Sequence, residues 1–281
     1  MVKRKHPDRA STQASQPIGT KKIHPNRPTS PRHTGVPDPD SLWLYGLHAV
    51  AAALRNPERQ KIQLLATSSA AISLAAQIKT HPLDVEIKET QQIARFLPAA
   101  AVHQGIALRV RPLPEPNLED VCARQQGAAP NLVVVLDQLT DPHNVGAVLR
   151  SCAAFGVTAV ILTGRHAPPA SGVLAKAASG ALDIVPVVRV INLARALEQL
   201  AELGYWRVGL DSEASQPIAE IDLNGDIALV LGAEGSGLRQ LTARKCDFLA
   251  RIPASGKLAS LNVSNAAAIA LYEVTRRRAP M

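Results

Sequence analysis

Aromatic and sulfur-bearing side chains are scarce. Phe, Trp and Tyr make up 3% of the 281 residues, and there are three cysteines and two methionines. With an apolar fraction of 46%, the core must be built mainly from Ala, Val, Leu and Ile. Cys122, Cys152 and Cys246 are scattered and odd in number. That argues against a disulfide framework and against zinc-ligand spacing, and it reads as reduced, buried thiols in a cytoplasmic protein without a metal. No run of about 18 apolar residues occurs, so no membrane span is expected. The opening stretch MVKRKHPDRASTQASQ is basic but has no apolar segment, so it does not read as a secretory signal.

The net charge of +8 is unevenly placed. Residues 1–40 hold eight Lys or Arg and three Asp, giving +5, so the other 241 residues carry +3. Residues 1–40 are also rich in Pro, Ser and Thr. Such a segment cannot bury enough apolar surface to offset ordering entropy, and a disordered basic tail is expected. It suits either solvation or an electrostatic tether to RNA.

Order is expected from Ser41. A helix over Val50–Leu54 must end near Asn56–Pro57. IQLLAT reads as a strand, AAISLAAQIKTH as a helix, LDVEIK as a strand, TQQIARFLP as a helix and QGIALRV as a strand, making a small α/β domain over residues 41–111. Residues 112–130, with four prolines, read as a linker with room for a helical turn or two. A second domain over 131–281 begins with the buried strand NLVVVLDQL. Helix Val145–Phe155, TAVILT, a helix near Val173–Ala178 and LDIVPVV follow. Then come helix Leu193–Leu203, YWRVGLD, DIALVLG, a short helix from Leu238, FLARI and a final helix from about Ser264. This alternation predicts a mostly parallel sheet with crossover helices.

Three stretches of this second domain carry candidate chemistry. In LDQLTDPHNVGAVLRSCAAFG, a strand ends in a polar loop, and Asn144 is expected at the mouth of the next helix. Arg150 lies nearly two turns on, with a stem able to lean back. In ALVLGAEGSGL, glycines flank Glu234 and allow close backbone approach. The order G-x-x-G-x-G after a late strand is not the dinucleotide fingerprint. In ARIPASGKLASLNVSNAAAIALYE, Ser260, Asn262, Ser264 and Asn265 crowd one helix mouth, where one cap would be enough.

Taken together, the order and content of DPHNVGAVLRS, LVLGAEGSGL and IPASGKLASLNVSNAAAIALYE resemble the SpoU/TrmH class of the SPOUT RNA methyltransferases. The likeness covers residues 131–276, including KAASGALDIVPV. Residues 41–111, opening with LYGLHAVAAAL, look like the small α/β RNA-binding domain of the ribosomal guanosine methyltransferases in this class.

The resemblance implies a C-terminal domain with a deep trefoil knot and a homodimer formed through it. It also implies S-adenosylmethionine-dependent methylation of a ribose 2′-oxygen, on a guanosine of 23S rRNA. Carried over, Gly232, Ile252 and Leu261 would contact the cofactor, while Asn144, Arg150, Glu234, Ser260 and Asn262 would form the catalytic set. Many relatives have Met where Ala254 stands, a change that bears on packing beside the cofactor. The alternatives are ribose methylation of tRNA and, from another class, a non-catalytic RNA-binding protein. The latter is disfavoured because the whole polar set is present.

Overall fold

The computed structural model describes residues 40–79, 83–165, 167–254, 256 and 260–278. The expected basic tail, apart from Asp40, lies outside them, as do Ser255 and residues 257–259 of the third motif.

The first half forms a mixed four-stranded sheet. Its elements are β1 (Leu42–Tyr45), α1 (Leu47–Arg55), β2 (Lys61–Ala66), α2 (Ser68–Ser73), α3 (Ala75–Lys79), β3 (Val85–Ile87), α4 (Thr90–Ala94) and β4 (Ile106–Val110). The strand order is β1-β4-β2-β3, with β4 antiparallel to both neighbours and β3 parallel to β2. The single helix expected over residues 70–81 is instead the pair α2 and α3. Thr67 caps α2, and the helical path breaks at Leu74 (φ −113°, ψ 16°), which turns into the core while Ile72 stays exposed. Strand β1 was not anticipated, because its four residues merge with the apolar run leading into α1.

Within the expected linker, α5 (Leu118–Cys122) packs Leu118 and Cys122 into the second sheet's core. The second half continues with β5 (Leu132–Leu136), α6 (Pro142–Ala154), β6 (Ala159–Thr163), α7 (Gly172–Ala177), β7 (Val187–Val190) and α8 (Leu193–Glu202). It is completed by β8 (Trp206–Leu210), β9 (Gln216–Pro217), β10 (Ile227–Leu231), α9 (Gln240–Arg244), β11 (Phe248–Arg251) and α10 (Val263–Arg278). The seven strands lie in the order β7-β6-β5-β10-β8-β11-β9, every pair parallel. Strand β5 shows why its sequence is a continuous apolar run. Leu132, Val134 and Leu136 face one core cluster, and Val133 and Val135 face the other.

Two boundaries depart from expectation. LDIVPVV does not form a strand along its length: Ala181–Asp183 is a 3-10 turn and β7 begins at Val187. Pro186 has no N–H to give to a ladder, which holds the strand start beyond it. Helix α6 starts at Pro142, with the Asp141 side chain accepting a hydrogen bond from the His143 N–H (3.0 Å). Asn144 is thus inside the first turn and does not cap it.

The described residues all fall within one compact unit. At the seam between the sheets, Arg59 Nε donates to Asp183 Oδ1 at 2.8 Å, with both side chains 2% exposed. The Asn56 amide also donates to Asp183 Oδ1 (3.3 Å), and Arg59 Nη1 donates to the Arg111 carbonyl (3.1 Å). Arg59 Nη2 is buried without a hydrogen-bond partner among the described residues.

Candidate active site

In an open parallel sheet the loops at the carboxyl ends of the strands gather where the strand order reverses. Here that place is between β5 and β10. After β5 the chain moves outward to β6, and β10 lies on the opposite flank. The loop following β5 leads into α6, and the loop following β10 carries the glycines around Glu234.

A buried carboxylate ties these two loops together. Asp137, 1% exposed, accepts from Arg239 Nε (2.7 Å) through one oxygen and from the Arg239 backbone N–H (3.1 Å) through the other. Sequence reasoning missed this pair. The available signal was an acidic residue at the end of a strand buried on both faces. The glycine loop is further closed by reciprocal backbone bonds between Ala233 and Gly237 (3.1 and 3.0 Å). A Cβ on Gly232 would lie 2.1 Å from the Gly237 carbonyl carbon, so no side chain fits there.

The polar centre is Asn262. Its Nδ2 donates to Glu234 Oε1 at 2.6 Å and to Asn144 Oδ1 at 3.1 Å. Its Oδ1 accepts from the Ser264 backbone N–H (2.9 Å) and the Ser264 hydroxyl (2.6 Å). A carboxylate can only accept and a backbone N–H can only donate, so the partners fix the orientation of the Asn262 amide. By the same logic Asn144, accepting through Oδ1, keeps its Nδ2 hydrogens for another partner, and Glu234 keeps Oε2. The trio thus offers a donor and an anionic acceptor side by side.

The other expected residues are placed differently. Ser260 is exposed, and among the described residues no hydrogen bond joins it to the trio. Arg150 is exposed on α6 and lines a cavity of about 250 Å³ with His48, Ser179 and Ile184, apart from the trio. Ile252 packs against the main core, and Leu261 is 41% exposed beside Asn262. Gly232 is closed to any side chain, and Ile252 and Leu261 add apolar surface on the segment that leads into α10. That set fits a nucleoside cofactor such as S-adenosylmethionine.

The thiols take no part. Burial pushes Cys152 and Cys246 up to about 12 and Cys122 up to about 11, so none is a ready thiolate. Among the described residues there is no group of three or more His, Cys, Asp or Glu placed to hold a metal ion, and no helix is long and apolar enough to cross a membrane.

Comparison with known proteins bears on the whole described region. The SpoU rRNA Methylase family model matches residues 131–272, and the model for RNA 2′-O ribose methyltransferase substrate binding matches residues 43–116. The chain is 40% identical over 253 residues to the 23S rRNA (guanosine-2′-O-)-methyltransferase RlmB of Pseudomonas aeruginosa, covering 86% of this chain and 99% of that protein. It is 42% identical over 241 residues to the protein of the same name from Vibrio cholerae, covering 84% and 96%. The SpoU methyltransferase AviRb of Streptomyces viridochromogenes, solved in complex with the cofactor AdoMet, has the same fold. Its TM-score is 0.71 at 23% identity, over 85% of this chain and 91% of that one.

Proposed function

The chain belongs to the SpoU rRNA methylase family, and on that premise we propose that it methylates the ribose 2′-hydroxyl of a guanosine in 23S rRNA, using S-adenosylmethionine. It is an RNA 2′-O-methyltransferase with a parallel α/β catalytic half and an N-terminal substrate-binding half. The observation that carries the reading is the Asn262 amide holding Glu234 and Asn144 together, in a chain that matches RlmB proteins over nearly their whole length.

Methyl transfer to a hydroxyl requires the acceptor oxygen to be held in line and its proton to be drawn away. When bound, S-adenosylmethionine supplies an electrophilic methyl group on a sulfonium. Gly232, Ile252 and Leu261 hold the cofactor. Glu234 accepts a hydrogen bond from the ribose hydroxyl, and Asn144 donates to a neighbouring oxygen of the sugar. Ser260 contributes a further hydroxyl at the mouth of α10. Arg150 grips the phosphodiester beside the target and stabilises the developing alkoxide. A guanidinium, which holds its proton too tightly to give it up and has no lone pair to accept another, is unsuited to act as the base.

Three finer features belong to the same reading. The C-terminal catalytic half carries the trefoil knot of the SPOUT fold. The protein works as a homodimer in the cytoplasm, where rRNA is modified. The exposed side chains of Ile269 and Tyr272 favour dimerisation, because they leave apolar surface uncovered on α10. The basic tail of residues 1–40 adds sequence-independent affinity for RNA.

Mapping of 2′-O-methyl groups on 23S rRNA and tRNA, from cells with and without the gene, tests the assignment. One guanosine of 23S rRNA should lose its methyl group in the deletion strain. Loss confined to tRNA would overturn the choice of substrate, and no loss in either RNA would overturn the activity.

A further inference from the structure

The cavity beside Arg150 belongs to neither half alone. Arg150 and Ala153 come from α6, His48 from α1 of the mixed sheet, and Ser179 and Ile184 from the turn between α7 and β7. Its volume of about 250 Å³ equals roughly eight waters at their liquid volume, enough for a phosphodiester with part of its ribose. Among the described residues no acidic side chain lines it. Arg150 and His48 are both exposed, and among the described residues neither has a hydrogen-bond or ion-pair partner. Ser179 adds a hydroxyl, and Ile184, 63% exposed, adds an apolar face.

The seam holds these groups in a fixed relation. Ser179 (φ +51°) and Gly180 (φ +95°) are consecutive left-handed residues that let the turn run directly beneath α1. A Cβ on Gly180 would lie 2.7 Å from Ala52 Cβ and 2.9 Å from the His48 carbonyl oxygen. Three residues further on, Asp183 makes the buried bridge to Arg59. Beside the start of α1, Lys176 Nζ donates to Gln104 Oε1 (2.6 Å), which also accepts from the Leu47 N–H (3.2 Å), adding a second cation near the cavity.

We propose that this seam cavity is an RNA subsite for a phosphodiester flanking the target nucleotide, with His48 as a positioning residue that grips it from the side opposite Arg150. The inference rests on the reading of the chain as an rRNA methyltransferase. Arg150 offers its fork to two phosphate oxygens, His48 and Ser179 each donate one hydrogen bond, and the alanines and Ile184 face the sugar. A backbone threaded through the seam touches both halves at once. The substrate-binding half thereby acts on the position of the reacting ribose as well as on overall affinity.

The test uses the full chain and an rRNA fragment carrying the target guanosine. Single phosphates around the target are replaced, one at a time, by uncharged methylphosphonates, and single-turnover methylation is measured for the wild type, His48→Ala and His48→Gln. For the wild type, one flanking linkage should be sensitive, losing about tenfold or more, the worth of a hydrogen bond to a charged group. His48→Ala should lose about tenfold on the unmodified fragment and lose less than the wild type when that linkage is neutralised. His48→Gln, which keeps a donor, should fall between them. Calorimetry with S-adenosylmethionine should give the same affinity for all three proteins, which excludes misfolding as the cause. Full activity of His48→Ala, or a linkage profile identical to the wild type, overturns the subsite. A wild type that methylates no RNA overturns the functional assignment itself, a separate and recognisable result.

Discussion

The mixed sheet has strands of three to six residues and helices no longer than nine, whereas the parallel sheet carries α6 of 13 residues and α10 of 16. Direction matters as much as size. Parallel strands deliver their loops to one end, so residues as distant in sequence as Asn144, Glu234 and Asn262 meet there. In the mixed sheet the strand ends are divided between two edges, and no such convergence is possible. Exposed apolar surface does not separate the halves: the mixed half exposes Ile72, Ile87, Phe96 and Val102, and the parallel half exposes Ile191, Trp206, Leu241 and Tyr272. What separates them is the convergence of polar groups from distant segments. The seam, with Arg150 on one side and His48 on the other, draws on both halves.

The sharpest test of that division is Arg150→Ala. Methylation should fall roughly 100- to 1000-fold, as for loss of a donor aimed at developing negative charge, with S-adenosylmethionine affinity preserved. Arg150→Lys keeps the charge and loses the fork. It should retain partial activity and, in single-turnover assays from about pH 6.5 to about 9.5, show no pH dependence beyond that of the wild type. A Lys variant whose rate climbs with pH while the wild type stays flat would assign Arg150 the role of base.

Next in size is Arg59→Met, which attacks the join between the halves. Leaving Asp183 buried without its partner should cost about 3–5 kcal/mol in denaturant unfolding. Arg59→Met combined with Asp183→Leu should regain much of that. Failure of the double variant to recover would mean that the bridge orients the halves through its geometry and not merely through balanced charge.

Glu234→Gln probes the parallel half alone. It keeps an oxygen for Asn262 Nδ2 and removes the anion. The rate constant should drop roughly ten- to a hundredfold with little change in RNA affinity. An equal loss in RNA binding would move Glu234 from the reacting oxygen to substrate docking.

The smallest effect is expected from deleting residues 1–40. RNA affinity should weaken modestly, and the methylated position should stay the same. The log–log salt slope should fall by about 0.7 to 0.9 for each phosphate that the tail would otherwise neutralise. An unchanged slope would make the tail a solvating segment.

The sequence made the two halves visible unequally. Strands β5 and β10 were legible because strands buried on both faces read as unbroken apolar runs. The glycine loop and the SLNVSN stretch were legible because their residue types are unusual at such places. The start of α6 was misread, although Asp141–Pro142 is itself a cap followed by a proline at the first helical position. Asp137 was conspicuous at the end of a buried strand, but neither its pairing with Arg239 nor that of Arg59 with Asp183 was legible. The partners stand 102 and 124 residues apart, and no periodicity spans such distances. β9, with two residues, falls below any pattern a sequence can show.

Asn262 has one further consequence, for how such a protein can change over generations. Its carbonyl oxygen caps the 16-residue α10, while its amide nitrogen holds Glu234 and Asn144. A substitution at this position is felt first as lost stability, whatever becomes of turnover. Glu234 and Arg150 carry no such double duty, so a lineage released from selection for methylation should lose them early and keep Asn262 late. Sequences of this fold in which Asn262 persists beside a replaced Glu234 and Arg150 are therefore the expected remains of enzymes that have become binding proteins.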